Sequence, residues 1–412
     1  MKILVDCRCL NYPFLTGVNV YTIRLLHCLS IIKSKNSEFK ITAMGIKINR
    51  KRELMSDFPF LLDLFEEHIS LARYLGHQDS TITQSNWFHK CLEMNLTACN
   101  WFDKDLDDQS LDFYDYIILP QPRLLKFNPK SKVITIFHDI FSILDKQKQL
   151  PQSLIFNRLT CQTLINRSHK VIAGSISTFQ DINKTFFDKN DFDNPKIQLI
   201  YPALPNLQKL LNYNKNKFLH LQKDFKDPQS ETRISSKLYI LAISGIETRK
   251  NWYNLLLAHK FLQIQYNWKL DLVLSGSIID QKYYKVLVKL IERQQIENVV
   301  WQINPSESQK NELLKNCEFV AYPSYYEGFG FPILEAFEHN KVVVTSRISS
   351  MSEIGKDACI YANPFSYQNI ANCIYLAQTD LNFKRSLEEN IAKNKSQYSW
   401  HEMINAFEKL LV

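Results

Sequence analysis

The chain alternates, twice over, between short apolar runs and longer stretches with helical spacing, and this alternation constrains the fold more than any other feature. Apolar runs this short suit strands that are buried on both faces. Strands that alternate with helices build a parallel sheet covered by helices. In the first half we predict strands at Ile3–Val5, Lys40–Ile46, Tyr116–Leu119, Lys132–Phe137, Lys170–Ala173 and Gln198–Tyr201, and helices at Val18–Ile32, Leu154–Asn166 and Ile176–Phe187.

A polar interruption separates this series from a second one. Pro205–Lys237 is rich in Asn, Lys, Gln and Ser, so we place a domain boundary there. The sequence therefore predicts an α/β protein with two doubly wound domains and a cleft between them, in which ligands bind beyond the strand ends. In the second half we predict strands at Tyr239–Ile243, Leu270–Leu274, Val299–Ile303, Phe319–Pro323 and Lys341–Thr345, helices at Trp252–Gln263, Tyr283–Gln294, Glu307–Lys315 and Pro332–Phe337, and a helical tail from Gln368 with a break near Asn394–Tyr398.

Charge and cysteine content exclude several classes of protein. The net charge is +8, with 25 basic and 21 acidic residues in each half, so neither half resembles a basic arm for nucleic acid. The excess suits phosphate ligands or an anionic membrane surface, and solubility alone explains it equally well. The nine cysteines form no Cys-x-x-Cys pair, which favours reduced thiols in the cytoplasm over zinc sites. No apolar run approaches the ~18 residues that span a bilayer.

The segment from Glu327 to Glu335 is the most informative motif. It follows a predicted strand and continues into the helix predicted at Pro332–Phe337. Gly328 and Gly330, on either side of Phe329, allow a tight turn that brings backbone close to a ligand. The amides at the helix start favour an anion, and the two glutamates can accept hydrogen bonds from sugar hydroxyls beside it. A surface turn with two solvated glutamates is the alternative that spacing alone leaves open.

This segment resembles the Glu-x7-Glu signature of retaining GT-B glycosyltransferases of family four. Other segments resemble that family in the same order along the chain, and they imply the GT-B fold, two Rossmann-like domains that face a central cleft. They imply a first, acceptor-binding domain over 1–205, a connection over 206–237, a nucleotide-sugar-binding domain over 238–390 and a final helix over 391–412 that returns to the first domain. The matching segments are Thr16-Gly17-Val18, Phe137-His138-Asp139, Gly245–Asn251, Ser346–Ile354 and Tyr398–Trp400.

The resemblance implies a role for each matching residue. Glu327 would bind donor sugar hydroxyls, Glu335 the ribose hydroxyls, and Arg249 and Lys250 the diphosphate. Gly17 would let backbone approach the diphosphate, and His138 would contact the sugar near the reacting carbon; Gly328, Phe329 and Gly330 would form the donor-binding turn. Fixed cations beside a leaving diphosphate make a metal unnecessary.

Two positions depart from the family pattern. Many relatives carry an arginine where this chain has Ile246, so phosphate binding would depend on Arg249 or more heavily on Lys250. The first loop has the single Gly17 where some relatives have two glycines, which alters the expected backbone approach.

The resemblance implies a retaining, metal-independent hexosyltransferase without a cofactor, whose co-substrate is GDP-mannose or, second, a UDP-hexose. The expected acceptor is a saccharide or lipid-linked saccharide of a surface polysaccharide, and Asn49–Asp112 is the segment expected to bind it. The protein is expected to make peripheral contact with the inner membrane face.

Asp105-Leu-Asp107 and Asp191-Phe-Asp193 match a metal-binding pattern but are predicted to be solvated loops. We expect Glu327→Gln to abolish transfer with little change in Tm. The alternatives are a nucleotide-sugar epimerase or phosphorylase on the same fold, or an inactive nucleotide-sugar-binding subunit.

Overall fold

The chain folds into two compact α/β units. In the computed structural model one unit comprises Met1–Leu221 with Ser399–Val412, and the other comprises Gln222–Tyr398. The structure describes residues 1–6, 17–36, 38–44, 67–69, 113–122, 130–145, 151–187, 194–203 and 238–411.

The first unit is built on a seven-stranded sheet in the order β3-β2-β1-β4-β5-β6-β7, and every neighbouring pair is parallel. Both faces of the sheet are buried, since Ile3 and Val5 of β1 lie in one apolar cluster and Leu4 lies in the other. Its elements are β1 (Lys2–Asp6), α1 (Gly17–Lys35), β2 (Lys40–Met44), β3 (Glu67–Ile69), β4 (Tyr116–Leu119), β5 (Lys132–Phe137), α2 (Phe141–Leu144), α3 (Pro151–Arg167), β6 (Lys170–Ala173), α4 (Ile176–Phe186) and β7 (Ile197–Leu199).

The second unit has a six-stranded parallel sheet in the order β10-β9-β8-β11-β12-β13. This is the order of a doubly wound dinucleotide-binding sheet, with the reversal of strand order between β8 and β11. Its elements are β8 (Tyr239–Ile243), α5 (Trp252–Tyr266), β9 (Asp271–Gly276), α6 (Gln281–Arg293), β10 (Val299–Ile303), α7 (Glu307–Asn316), β11 (Phe319–Tyr322), α8 (Phe331–Glu338), β12 (Val343–Ser346), α9 (Ser350–Gly355), β13 (Cys359–Ala362), α10 (Tyr367–Thr379) and α11 (Leu381–Lys395).

The last helix, α12 (Trp400–Leu411), belongs to the first unit. Met403, Phe407 and Leu411 are buried in the same apolar cluster as Tyr21 and Leu25 of α1. An amphipathic helix with its apolar residues on one side buries that side against a neighbour, and here the neighbour is α1.

The predicted α/β fold of two doubly wound sheets is confirmed, with differences at its edges. Position 391 lies inside α11, in the second unit, so the segment that returns to the first unit begins at Ser399. Strands β3 and β13 and helices α2 and α9 were not predicted. The connection over 206–237, both Asp-x-Asp matches and, apart from β3, the segment 49–112 lie outside the described residues.

Two further sequence expectations concern membranes and thiols. No helix among the described residues is long and apolar enough to cross a membrane. The cysteines of the described part, at positions 28, 161, 317, 359 and 373, are free thiols, and burial raises the pKa of Cys161 to about 11 and of Cys317 to about 12.

Candidate functional site

The loops that follow β8 and β11 meet at the point where the strand order of the second unit reverses. The two strands are parallel neighbours, with Phe319 beside Ile240 and Val320 beside Leu241, so their carboxyl ends lie at the same sheet edge. Ligands of doubly wound sheets bind at this position. The sequence motif 327–335 follows β11, and the pair Arg249-Lys250 follows β8.

The loop after β8 is held in a defined shape. Thr248–Lys250 forms a single 3-10 turn, and Asn251 then takes a left-handed conformation (φ 61°), which asparagine tolerates better than most residues. The buried amide of Asn251 donates hydrogen bonds to the carbonyl oxygens of Pro323 (2.9 Å) and Pro364 (2.7 Å). These bonds tie the cationic turn to the loops that follow β11 and β13.

Both cations of that turn are bonded to Glu327. The Lys250 ammonium donates to the two carboxylate oxygens at 2.7 and 2.8 Å, and Nη1 of Arg249 donates to Oε2 at 2.7 Å. Nε of Arg249 lies 2.9 Å from Oε1 of Glu247. The side chains of Lys250 and Glu327 are only 9% and 6% exposed, so this is a largely desolvated cluster of two cations and two carboxylates.

Burial and pairing act in opposite directions on the pKa of Glu327. Burial would raise it, but the charges of Arg249 and Lys250 and a hydrogen bond from Lys250 lower it from its usual value of 4.5 to about 2. Burial likewise lowers the pKa of Lys250, and the Glu327 carboxylate opposes that shift. Glu327 is therefore ionised at neutral pH, which suits an acceptor of hydrogen bonds better than an acceptor of protons.

Two serines that the sequence did not single out fix the backbone of Glu327. Its N–H donates to Oγ of Ser349 (2.9 Å), and its carbonyl accepts from Oγ of Ser350 (2.8 Å). Ser349 has a positive φ of 51°, which is uncommon outside glycine and asparagine. Both serines lie in the segment 346–354 that resembles the family, but only the fold brings them to Glu327.

The turn from Gly328 to Gly330 leads into helix α8. Gly330 lies in the left-handed region (φ 99°, ψ 44°), where a side chain would be strained. The helix begins at Phe331, one residue before the predicted start at Pro332. The side chain of Phe329, which was predicted to take part in donor binding, is buried and contacts the rings of Phe331 and Tyr398. Only the backbone of Phe329 could therefore contact a ligand.

Glu335 lies apart from the cluster that surrounds Glu327. Its Oε1 accepts a hydrogen bond of 2.7 Å from Nζ of Lys310, on α7. The two side chains are 15% and 17% exposed. Each glutamate of the motif is thus paired with a cation, Glu327 with the loop after β8 and Glu335 with the helix after β10.

The position at which many relatives carry arginine faces the interior. Ile246 is fully buried, forms a parallel bridge with Ile278, and donates its N–H to the carbonyl of Ser277 at 2.8 Å. Its side chain therefore lies away from the loop surface. Of the two residues predicted to bind phosphate in this loop, Arg249 is the more exposed, at 20% of its side chain.

Gly17 and His138 lie in the first unit. Gly17 begins α1, and His138 follows β5; the ring of Tyr21, one turn into α1, contacts the His138 ring edge-on at 4.8 Å between centroids. Nε2 of His138 donates to the carbonyl of Pro120 at 2.7 Å, which places the proton on Nε2. Burial lowers the pKa of His138, so the ring is neutral at neutral pH.

Metal ligands were not predicted. Within the part of the chain that the structure describes, no group of three or more His, Cys, Asp or Glu side chains is arranged to hold a metal ion.

Comparison with known sequences gives a match to a protein family in the second unit. The model of the family described as glycosyl transferases group 1 matches residues 223–394. The O-antigen chain mannosyltransferase B of Escherichia coli is 25% identical over the whole of both chains. The serotype-specific mannosyltransferase WbdA of Escherichia coli is 24% identical over 69% of this chain, which spans about a third (34%) of that relative's length.

Solved structures support the fold. Anabaena HepE, determined in complex with UDP and glucose, is 18% identical with a TM-score of 0.65, over 100% of this chain and 99% of that one. WaaG, a glycosyltransferase involved in lipopolysaccharide biosynthesis, is 13% identical with a TM-score of 0.61, over 98% of each chain. The chain thus has the GT-B fold, and the unit that carries Arg249, Lys250 and Glu327 matches the group 1 glycosyltransferases.

Proposed function

We propose that the protein is a retaining glycosyltransferase that moves a hexose from a nucleotide diphosphate sugar to an acceptor hydroxyl. The observation that carries the proposal is the buried cluster of Arg249, Lys250 and Glu327 at the strand-order reversal. Cations fixed at this edge of the sheet suit a diphosphate, and an adjacent ionised carboxylate suits sugar hydroxyls. The match of this unit to the group 1 glycosyltransferases supports the same reading.

The proposed transfer step develops negative charge on the leaving diphosphate. The bond from the anomeric carbon to the diphosphate oxygen breaks while the acceptor oxygen forms a bond on the same face of the sugar. The acceptor's proton passes to the leaving phosphate oxygen, so atoms and charge balance. Arg249 and Lys250 stabilise the negative charge that collects on the diphosphate, which is the kind of electrostatic contribution that dominates many enzymes. No step in this scheme requires a metal.

Donor binding would change the partners of the cluster. In the structure both cations are bonded to Glu327. A diphosphate offers them several charged oxygens, and Arg249 is held from its other side by Glu247. The carboxylate of Glu327, released from part of this pairing, can then accept hydrogen bonds from the hexose.

The names of relatives guide the choice of donor and acceptor. Several are mannosyltransferases, among them O-antigen enzymes, whereas HepE was determined with UDP and glucose. GDP-mannose is therefore the first donor we propose and a UDP-hexose the second. The proposed acceptor is a saccharide or lipid-linked saccharide of a surface polysaccharide, modified at the cytoplasmic membrane face. For His138 and Gly17 we propose the roles that the family resemblance implies.

Transfer assays test the proposal directly. The protein is incubated with GDP-mannose or UDP-glucose and a set of saccharide acceptors, and products are identified by mass spectrometry and their anomeric configuration by NMR. We expect an α-linked product from one donor. Arg249→Gln should lower kcat roughly 100-fold, because one preorganised donor to the leaving group is lost. Arg293→Gln, at an exposed position on α6, is the matched control and should retain activity.

The alternatives give different products. Incubation of the donor without acceptor would yield an epimerised nucleotide sugar if the protein were an epimerase. A sugar 1-phosphate formed from a glycoside and inorganic phosphate would identify a phosphorylase. Binding of GDP or UDP with no turnover of any donor would indicate a subunit without activity, and each of these results would contradict transfer.

A further inference from the structure

We propose that Lys310 is a positioning residue for Glu335 and that it holds the carboxylate against the ribose hydroxyls of a ribonucleoside diphosphate. The inference rests on the proposed function and extends it. The contact that carries it is the 2.7 Å hydrogen bond from Nζ of Lys310 to Oε1 of Glu335. The residues lie 25 positions apart, on two different helices.

The pair joins the first turn of one helix to the second turn of another. Lys310 is the fourth residue of α7, and Glu335 is the fifth residue of α8. The start of α7 is fixed by a capping box between Ser306 and Gln309, so the backbone that carries Lys310 is well defined. Both helices follow strands whose carboxyl ends lie at the ligand-binding edge of the sheet.

The pair is positioned to meet a ligand. Its side chains are 15% and 17% exposed, against 6% for Glu327, so solvent reaches them. Oε2 of Glu335 has no hydrogen-bond partner among the residues that the structure describes. One carboxylate oxygen is therefore bonded to the lysine, and the other remains available as an acceptor.

Ribose offers the matching donors. A ribonucleotide presents two neighbouring hydroxyl groups, and a carboxylate has enough lone pairs to accept from both while it keeps the bond to Lys310. A glutamate side chain without the lysine would sample several rotamers, and ordering it would weaken binding. Hydrogen bonds between a carboxylate and its donors are also stronger than those between neutral groups.

The experiment compares ribose with deoxyribose. Dissociation constants of GDP and UDP, and of their 2′-deoxy and 3′-deoxy forms, are measured by calorimetry for the wild type and for Lys310→Met, Lys310→Arg and Lys315→Met. We expect the wild type to prefer the ribonucleotide roughly tenfold, and we expect Lys310→Met to reduce this preference to roughly twofold. Lys310→Arg should restore it, and Lys315→Met, at an exposed position on the same helix, should leave it unchanged.

Other outcomes separate this inference from the function it rests on. Equal weakening of ribonucleotide and deoxyribonucleotide by Lys310→Met would overturn the inference and leave the proposed function standing. An unchanged preference in that variant, with its Tm equal to that of Lys315→Met, would do the same. In a transfer assay the variant should raise KM for the donor and keep kcat. If the wild type bound none of the nucleotides, the proposed function would itself be overturned.

Discussion

The burial of Glu327 changes the effect that its substitution should have on the protein's stability. From the sequence, Glu327 is expected to be a sugar-binding carboxylate, and its removal is expected to affect activity with little change in Tm. In the structure it is 4% exposed and bonded to two cations, one of them the buried Lys250. Removing one member of a buried ion pair typically costs about 3–5 kcal/mol, because the other charge loses its counter-charge. The expectation of an unchanged Tm for Glu327→Gln must therefore be replaced by a clear loss of stability.

That loss should depend on pH. The pKa of Glu327 is lowered from 4.5 to about 2, so its contribution to the free energy of unfolding is fully present above the unfolded value and disappears as pH falls through the folded one. A shift of this size corresponds to about 3 kcal/mol. Urea unfolding of the wild type and of Glu327→Gln should differ most near neutral pH, and the difference should shrink between about pH 4.5 and about pH 2.

Glu389→Gln provides the control for this measurement, since it removes an exposed carboxylate of α11. Its unfolding curves should follow the wild type throughout. A difference between the wild type and Glu327→Gln that stayed constant with pH would mean that the ionisation of Glu327 does not stabilise the fold.

At the scale of elements, the local pattern of apolar residues predicts the positions of strands well, but it does not predict which side chains contact each other. Tyr116–Leu119, Lys132–Phe137 and Tyr239–Ile243 were predicted at the residues where the structure has them, because each is a short and mostly apolar run. Cys359–Ala362 was missed although it is as long as Tyr116–Leu119, since cysteine and alanine indicate a strand less strongly than isoleucine does. The pairing of Lys310 with Glu335 could not be predicted from the sequence. It depends on which helices lie next to each other, and the order of the strands in the sheet determines that.

At the end of β9 the backbone of Gly276 leaves no room for a side chain. A Cβ at Gly276 would lie 1.7 Å from the carbonyl oxygen of Ser244, just before the loop that carries Arg249. Gly276→Ala must therefore separate β9 from β8, which should cost about 1–3 kcal/mol, as overpacking usually does. It should also displace the cationic turn and weaken binding of GDP or UDP.

Gly174 offers a matched control at the end of β6. A Cβ there meets only Pro202 Cδ, at 4.0 Å, which is an ordinary contact. Gly174→Ala should keep both the Tm and nucleotide affinity of the wild type. If Gly276→Ala bound nucleotide as tightly as Gly174→Ala, the shape of the loop after β8 would not depend on the close packing of β8 and β9.

At the scale of the whole molecule, the first unit is assembled from both ends of the chain. Sequence order alone would assign the final residues to the second unit, which they follow directly. The structure places Ser399–Val412 with Met1–Leu221, and the ion pair of Lys35 with Glu408 (2.7 Å) joins α1 to α12. The resemblance implied a returning helix from position 391, whereas residues 391–395 still belong to α11, and the more apolar helix that packs against α1 begins at Trp400.

Two phenylalanines, both fully buried, can test this assignment. Phe407 of α12 lies in the apolar cluster of the first unit, and Phe337 lies on α8 of the second. Replacing either by alanine should cost about 3–5 kcal/mol, from lost burial and the cavity that remains. Hydrogen exchange followed by mass spectrometry should show faster exchange in α1 and β1 for Phe407→Ala, and in β8 and β11 for Phe337→Ala. Faster exchange in all four elements for both variants would mean that the two units unfold together, and that the final helix stabilises the sheet of the second unit as much as that of the first.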